Sequence, residues 1–236
     1  MITILMERLP AHCSTQAIAR NELALRRTKF LVSNPCSGLN LKVYESFNLD
    51  KELELVGPRK LPTIYSLMEH AFKHVKTEGL IGILNSDIIL SLKGAIALAE
   101  TDADIVLLSR NDVTQATLNQ AVKYNGSLRL GILGKPVNSG ISCDGWFLSK
   151  TAWETLKPHY PKAMLIGEPW WDTCAIHLSK AFSKTFKVET LADSHALHPI
   201  HRGAWEDLSK EALQARNAWF NLKGQLRTKE IGDQNV

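Results

Sequence analysis

Two short, wholly apolar segments constrain this chain more than any other feature. Leu80-Ile81-Gly82-Ile83-Leu84 and Ile105-Val106-Leu107-Leu108 contain no polar position. A strand with one wet face alternates apolar and polar residues; a run without alternation suits a strand covered on both sides. Helical cover is at hand. Ile64, Leu67, Met68, Ala71, Phe72 and Val75 recur with the period of one helix face, with Pro62 before them and Gly79 after. Leu92–Glu100 is a second helix candidate, and a helix through Ala175 and Leu178 to Phe182 is a third. Leu208, Ala212, Ala215, Trp219 and Leu222 form a last helical stripe. Ile2–Met6, Phe30–Ser33, Leu41–Tyr44, Leu53–Val56, Arg129–Ile132 and Trp146–Leu148 are further strand candidates, and Ser14 can cap a helix running to about Arg27. Asn111–Asn125 fits a helix or a loop. The alternation predicts an α/β layer structure.

With 236 residues, no internal repeat and no linker, one domain over residues 1–224 is expected, followed by a polar, frayed tail at 225–236. No apolar run approaches the ~20 residues that span a bilayer. The apolar start, Met1 to Met6, meets Glu7 and Arg8 at once and has no small-residue cleavage site, so a first strand and a cytoplasmic location are expected. A net charge of +4 is compatible with phosphate-bearing ligands but does not single out nucleic acid. The densest basic group, Arg26-Arg27 with Lys29, suits a solvated helix end. Cys13, Cys36, Cys143 and Cys174 form no C-x-x-C pair, which excludes a zinc ribbon and suits buried small hydrophobes.

Stock phosphate and nucleophile motifs are absent. Gly131-Ile132-Leu133-Gly134-Lys135-Pro136 lacks the spacing and the hydroxyl of a P-loop. His70 and His74 are spaced i, i+4, but Glu69 precedes the pair and both fall on the polar side of their helix. Three other clusters can carry chemistry. The first is Asn85-Ser86-Asp87, directly after the apolar run. Ligands of open α/β sheets sit beyond the carboxyl ends of strands. Asp87 suits Mg²⁺ or Mn²⁺ holding a diphosphate, with Asn85 two residues away on the same side; the alternative is a strand-ending turn built of turn formers.

The second cluster is His195, His198 and His201, followed by Arg202. Pro199 between them excludes one face of a regular helix. These are either surface histidines or the source of one more metal ligand, with Arg202 near enough to offset phosphate charge. The third is Gly167-Glu168-Pro169-Trp170-Trp171-Asp172. Paired indoles can pack on sugar faces, and a carboxylate can take a hydroxyl proton. Core tryptophans with Asp172 as a helix N-cap are the alternative.

Taken in order, Asn85-Ser86-Asp87-Ile88-Ile89-Leu90, Asp144-Gly145-Trp146-Phe147-Leu148, Gly167–Asp172 and His198-x-x-His201 resemble glycosyltransferases of the GT-A fold with an N-x-D version of the DXD motif. The resemblance covers about Gln16 to Trp205. It implies a single Rossmann-like domain with a central mixed, mostly parallel sheet flanked by helices. It also implies transfer of a sugar from a nucleotide-diphosphate donor, with uridine diphosphate expected, to an acceptor hydroxyl. Mn²⁺ or Mg²⁺ would be held by Asp87 with His198 or His201. Donor contacts would come from Arg20, Asn21, Arg59, Asn85, Ser86, Asp87 and Arg202, and acceptor contacts from Asp144, Trp146, Trp170 and Trp171. Asp172 would be the base, with Glu168 as the competing carboxylate and inversion the preferred outcome. Three departures stand out: Glu168 replaces an expected Arg, Pro199-Ile200 replaces a polar pair, and Asp144-Gly145 is in reversed order.

The acceptor is open between carbohydrate, a small metabolite and a hydroxymethylated pyrimidine in DNA of the phage type, and so is the oligomeric state. Two other readings are a sugar-nucleotide nucleotidyltransferase and a non-catalytic nucleotide- or sugar-binding module. The first is disfavoured because Glu7-Arg8-Leu9-Pro10-Ala11-His12 is not the Gly-rich, Arg-Lys loop that such enzymes carry after the first strand.

Overall fold

The computed structural model describes residues 2–6, 15–33, 41–45, 53, 55–56, 61–75, 78–114, 135–136, 143–167, 169–191, 195–200 and 210–233. Both apolar runs become strands of one six-stranded sheet. It is built from β1 (Ile2–Met6), β2 (Leu41–Glu45), β5 (Ile81–Leu84), β7 (Ile105–Leu108), β10 (Gly145–Leu148) and β11 (Val188–Leu191), in the order β11-β7-β10-β5-β1-β2. Only β10 runs against its neighbours, pairing antiparallel with both β5 and β7. The other pairings are parallel, so the sheet is mixed and mostly parallel as expected.

Alternate side chains of these strands divide the core in two, as the strand period of two requires. Ile81, Ile83, Ile105, Leu107, Trp146 and Leu148 face the first half, covered by α2 (Ile64–His74), α4 (Lys150–Leu156), α5 (Trp171–Ala181) and the last helix, α6 (Lys210–Asp233). Ile4, Met6, Leu84, Val106, Leu108 and Phe147 face the second half, with α1 (Thr15–Ser33) and α3 (Leu92–Glu100). Helices therefore flank the sheet on both faces. Gly82 sits opposite Phe147 in the β5–β10 register, and a Cβ there would lie 2.0 Å from the Phe147 ring. The apolar run needs its one glycine so that Phe147 can cross the strand.

A second sheet, ordered β6-β12-β8-β9, continues from the first. Its strands are β6 (Ile89–Leu90), β12 (Ala196–Pro199), β8 (Asn111–Val113) and β9 (Lys135–Pro136). A small hairpin-like pair, β3 (Leu55–Val56) and β4 (Leu61–Pro62), precedes α2.

Several expectations need correction. Phe30–Ser33 is not a strand but the last turn of α1. Nothing in Arg26-Arg27-Thr28-Lys29 stops a helix, and the first strong stop is Asn34-Pro35. The last helix passes through Gly224 to Asp233 instead of ending there. Leu222, Lys223, Gln225 and Leu226 around that glycine are good helix formers and outweigh its cost. Helix α4 was not foreseen; Ser149 caps it and Ala152, Trp153 and Leu156 bury it. The expected strand at Arg129–Ile132 lies outside the described residues. Of Asn111–Asn125, the first three residues are strand β8.

Candidate active site at the junction of the two sheets

Strands β5 and β7 end at the same edge of the main sheet, and antiparallel β10 begins there. Gly145 is in register with both Leu84 and Leu108, so Asp144 stands one step past both apolar runs. Its backbone joins them: Asn85 N–H donates to Asp144 C=O at 2.8 Å, and Asp144 N–H to Leu108 C=O at 2.9 Å. The chain leaves this edge twice for the second sheet, through Asn85–Ile88 into β6 and through Ser109-Arg110 into β8. Strand β12 lies between β6 and β8 and brings His198 opposite Asp112.

Side chains at this junction form a run of contacts that closes through the Asn85–Asp87 backbone. Arg110 Nη1 donates to both oxygens of Asp144 at 2.7 and 2.8 Å, and Arg110 Nε donates to Asp112 Oδ1 at 3.0 Å. Asp112 Oδ1 also meets His198 Nδ1 at 3.0 Å, and His198 Nε2 lies 3.5 Å from Asp87 Oδ2. Asn85 Nδ2 completes the circuit by donating to Asp144 Oδ1 at 2.9 Å. The Asn85–Asp87 turn is pinned further by Asn21, whose amide donates to Ser86 C=O at 2.8 Å from the buried side of α1. Asn85 Oδ1 is buried and has no hydrogen-bond donor among the described residues.

Asp172 lies within electrostatic reach of Asp144 and Arg110. It lies in the first turn of α5, where its carboxylate accepts the Thr173 N–H at 2.7 Å. The helix starts at Trp171, after Trp170 in the left-handed region at φ 82°, so Asp172 is not the N-cap that the sequence offered as an alternative. Burial, and then the negative charge of Asp144, push its carboxyl up from 3.8 to about 6, against the Thr173 hydrogen bonds and the charge of Arg110. The same low-dielectric pocket raises the thiols of Cys143 and Cys174 and the Tyr160 phenol, chiefly by desolvation. Cys143 and Cys174 are buried small hydrophobes, as expected, while Cys13 and Cys36 lie outside the described residues.

The structure thus brings together Asn21, Asn85, Ser86, Asp87, Asp144, Asp172 and His198 from the expected set. Three acceptor assignments need correction. Trp146 is fully buried between β10 and α5, with its Nε1–H bonded to Ser179, because the face opposite Phe147 is also core. Trp171 is 2% exposed in the same core cluster. Asp144 has its carboxylate committed to Arg110 and Asn85 and is 1% exposed, so it holds the site instead of an acceptor. Trp170 keeps a partly open side chain. Asn21 acts on the Ser86 backbone, and Arg20 is half-buried on α1. Glu168, Arg59, His201 and Arg202 lie outside the described residues.

Arg110 and Asp112 were missed. The signal was a repeat of the one already used, an apolar run ending in Ser109-Arg110-Asn111-Asp112 as the first ends in Asn85-Ser86-Asp87. His70 and His74 stack on each other at 4.3 Å in a surface groove of about 640 Å³ along α2 and α4 that shares no residue with this edge.

No protein-family model matches the chain, and no curated protein matches it. Among solved structures it is similar to a glycosyltransferase involved in the glycosylation of the major capsid of PBCV-1, at 15% identity over 91% of this chain and 98% of that one, with a TM-score of 0.42. It is similar to the inositol-1-phosphate CTP transferase from T. maritima at 11% identity over 92% and 95%, TM-score 0.39. A third is the glycosyltransferase GlyE in Streptococcus pneumoniae, at 12% identity over 97% of this chain, which spans 63% of GlyE, TM-score 0.39. Overlaps this loose carry no argument about activity. Among the described residues no helix is long and apolar enough to cross a membrane.

Proposed function

We propose that this chain is a metal-dependent glycosyltransferase that moves a sugar from a nucleotide-diphosphate donor, uridine diphosphate by preference, to an acceptor hydroxyl. The observation that carries the reading is the pairing of Asp87 with His198. Asp112 as a carboxylate can only accept, so Nδ1 of His198 donates to it, and Nε2 is the ring atom turned toward Asp87 Oδ2, able to ligate a metal when it carries no proton. A carboxylate oxygen and a ring nitrogen 3.5 Å apart are spaced so that one cation could take both as ligands. Two ligands bonded at ~2.1 Å to one cation stand about 3 Å apart when their bonds are perpendicular. The donor set, one carboxylate oxygen and one imidazole backed by a second carboxylate, suits Mn²⁺ better than Mg²⁺, which prefers oxygen ligands.

Among the described residues no third His, Cys, Asp or Glu joins the pair. A cation held by this pair would therefore take its remaining ligands from substrate phosphates and water. Arg110 is bonded to two of the carboxylates, Asp112 and Asp144, and a cation would take Asp87. A cation bound there supplies Lewis-acid stabilisation to the departing diphosphate. Asn85 Oδ1, buried without a donor among the described residues, would accept from a donor hydroxyl or a metal-bound water.

Asp172 takes the acceptor's proton. The acceptor oxygen bonds to the anomeric carbon as the carbon–phosphate oxygen bond breaks, and the nucleoside diphosphate leaves. A carboxyl near 6 is ionised at neutral pH yet basic enough to receive a proton. Asp144, the carboxylate whose charge acts on it, is clamped by Arg110 and is no free nucleophile, which favours a single displacement with inversion. Of the expected acceptor platform, Trp170 is the part that remains.

A screen of nucleotide sugars, read as nucleoside diphosphate release with Mn²⁺ and with EDTA, tests the activity. Release from at least one donor, lost in EDTA, is expected. No release from any donor, with nucleotide still bound, points to a binding module. Pyrophosphate-dependent consumption of a sugar nucleotide points to the nucleotidyltransferase.

A further inference from the structure

The run of contacts at the strand ends passes through a side chain that no motif marks. Arg110 reaches Asp144 with Nη1 and Asp112 with Nε, and each of those carboxylates holds one side of the cation pair. Through Asp112 it fixes the His198 ring; through Asp144 and Asn85 it fixes the turn that carries Asp87. We infer that Arg110 is the positioning residue of the site, which sets the separation at which Asp87 and His198 present their ligand atoms. The inference rests on the cation reading given above.

An arginine is needed for this task. Its planar fork directs donors toward two carboxylates at once, whereas a lysine is a point charge on a flexible stem. Burial alone would favour loss of its proton, but Asp144 and Asp112 more than offset that, so the guanidinium stays charged. If Arg110 served only to neutralise buried Asp144, lysine would serve as well. The two roles therefore separate on Arg110→Lys.

Wild type, Arg110→Lys and Asp112→Ala are compared by calorimetry of Mn²⁺ binding without nucleotide, and by hydrogen exchange of the metal-free proteins. Ile88 N–H, bonded to Asn85 C=O, reports on the turn, and the β11 amides are the control. Outer-shell partners of a metal ligand are worth roughly 10- to 100-fold in affinity. Arg110→Lys should weaken Mn²⁺ by roughly that factor and speed exchange at Ile88 while β11 is unchanged. Asp112→Ala, which cuts only the His198 arm, should weaken Mn²⁺ and leave Ile88 protected. Wild-type Mn²⁺ affinity in either variant overturns the assignment, and Asp112→Ala decides if Arg110→Lys does not fold. If wild type binds no Mn²⁺, the cation reading fails. Exchange at Ile88 in Arg110→Lys then judges the positioning role by itself, and wild-type protection there overturns it.

Discussion

Asp172 is held away from its ordinary chemistry, and two consequences follow. As a base it works only when ionised, so kcat/KM should fall on the acid side of a limb near pH 6, well above the ordinary 3.8 of an aspartate. A pH–rate profile checks this; a limb near 4 would remove Asp172 from the role. Asp172→Asn should cut turnover by roughly 10²- to 10⁴-fold, while Glu168→Gln should retain most of it. Stability should move the other way. Because the folded carboxyl is raised, the folded chain holds a proton between pH 3.8 and about 6 that the unfolded chain has lost. Its contribution to stability is complete below that window and is lost as pH rises through about 6. Asparagine has no such charge to bury. Melting curves should therefore place Asp172→Asn above wild type at pH 8 and level with it near pH 4. An equal loss at both values would make the Thr173 hydrogen bond the main role of the side chain.

Helix α3 sets where β12 runs. Ser91 N–H donates to His195 C=O at 3.0 Å, and a Cβ on Gly94 would lie 2.2 Å from that same oxygen. Gly94→Ala must push α3 and the start of β12 apart, three residues before His198. Urea unfolding should show a clear loss of stability, and Mn²⁺ affinity should fall with it. Gly224→Ala is the contrast, since a Cβ there meets nothing within 4 Å in the middle of α6. It should stabilise by up to ~1 kcal/mol.

The same contrast explains what could be read beforehand. Leu80–Leu84 and Ile105–Leu108 were legible because double burial leaves a local mark, and Asp87 followed from its place after one of them. His198 was visible together with His201 as a ligand candidate, but its place opposite Asp112 rests on the β12–β8 register, which is a property of the whole sheet. Arg110 and Asp112 carried the same strand-end signal and were passed over because an arginine is less often read as part of a carboxylate site. Trp146 misled for the opposite reason. Flanked by Gly145 and Phe147, it belongs to a strand buried on both faces, and its indole reads as a sugar platform only if one face is open. Phe30–Ser33 shows local strand preference overruled by a helix that had no reason to stop.

Across the whole molecule, charge is distributed unevenly. The chain carries a net +4, yet at the junction of its two sheets Arg110 holds Asp112 and Asp144, Asp87 meets His198, and Asp172 lies within electrostatic reach. On the proposed reading a diphosphate brought to Asp87 without a cation would meet a carboxylate, whereas a cation held by Asp87 and His198 would draw it in. The most direct measurement is calorimetric titration of uridine diphosphate into the wild-type chain, in Mn²⁺ and in EDTA. The account predicts binding in Mn²⁺ that weakens at least tenfold, about 1.4 kcal/mol, when the cation is removed. Equal affinity in the two buffers would contradict it.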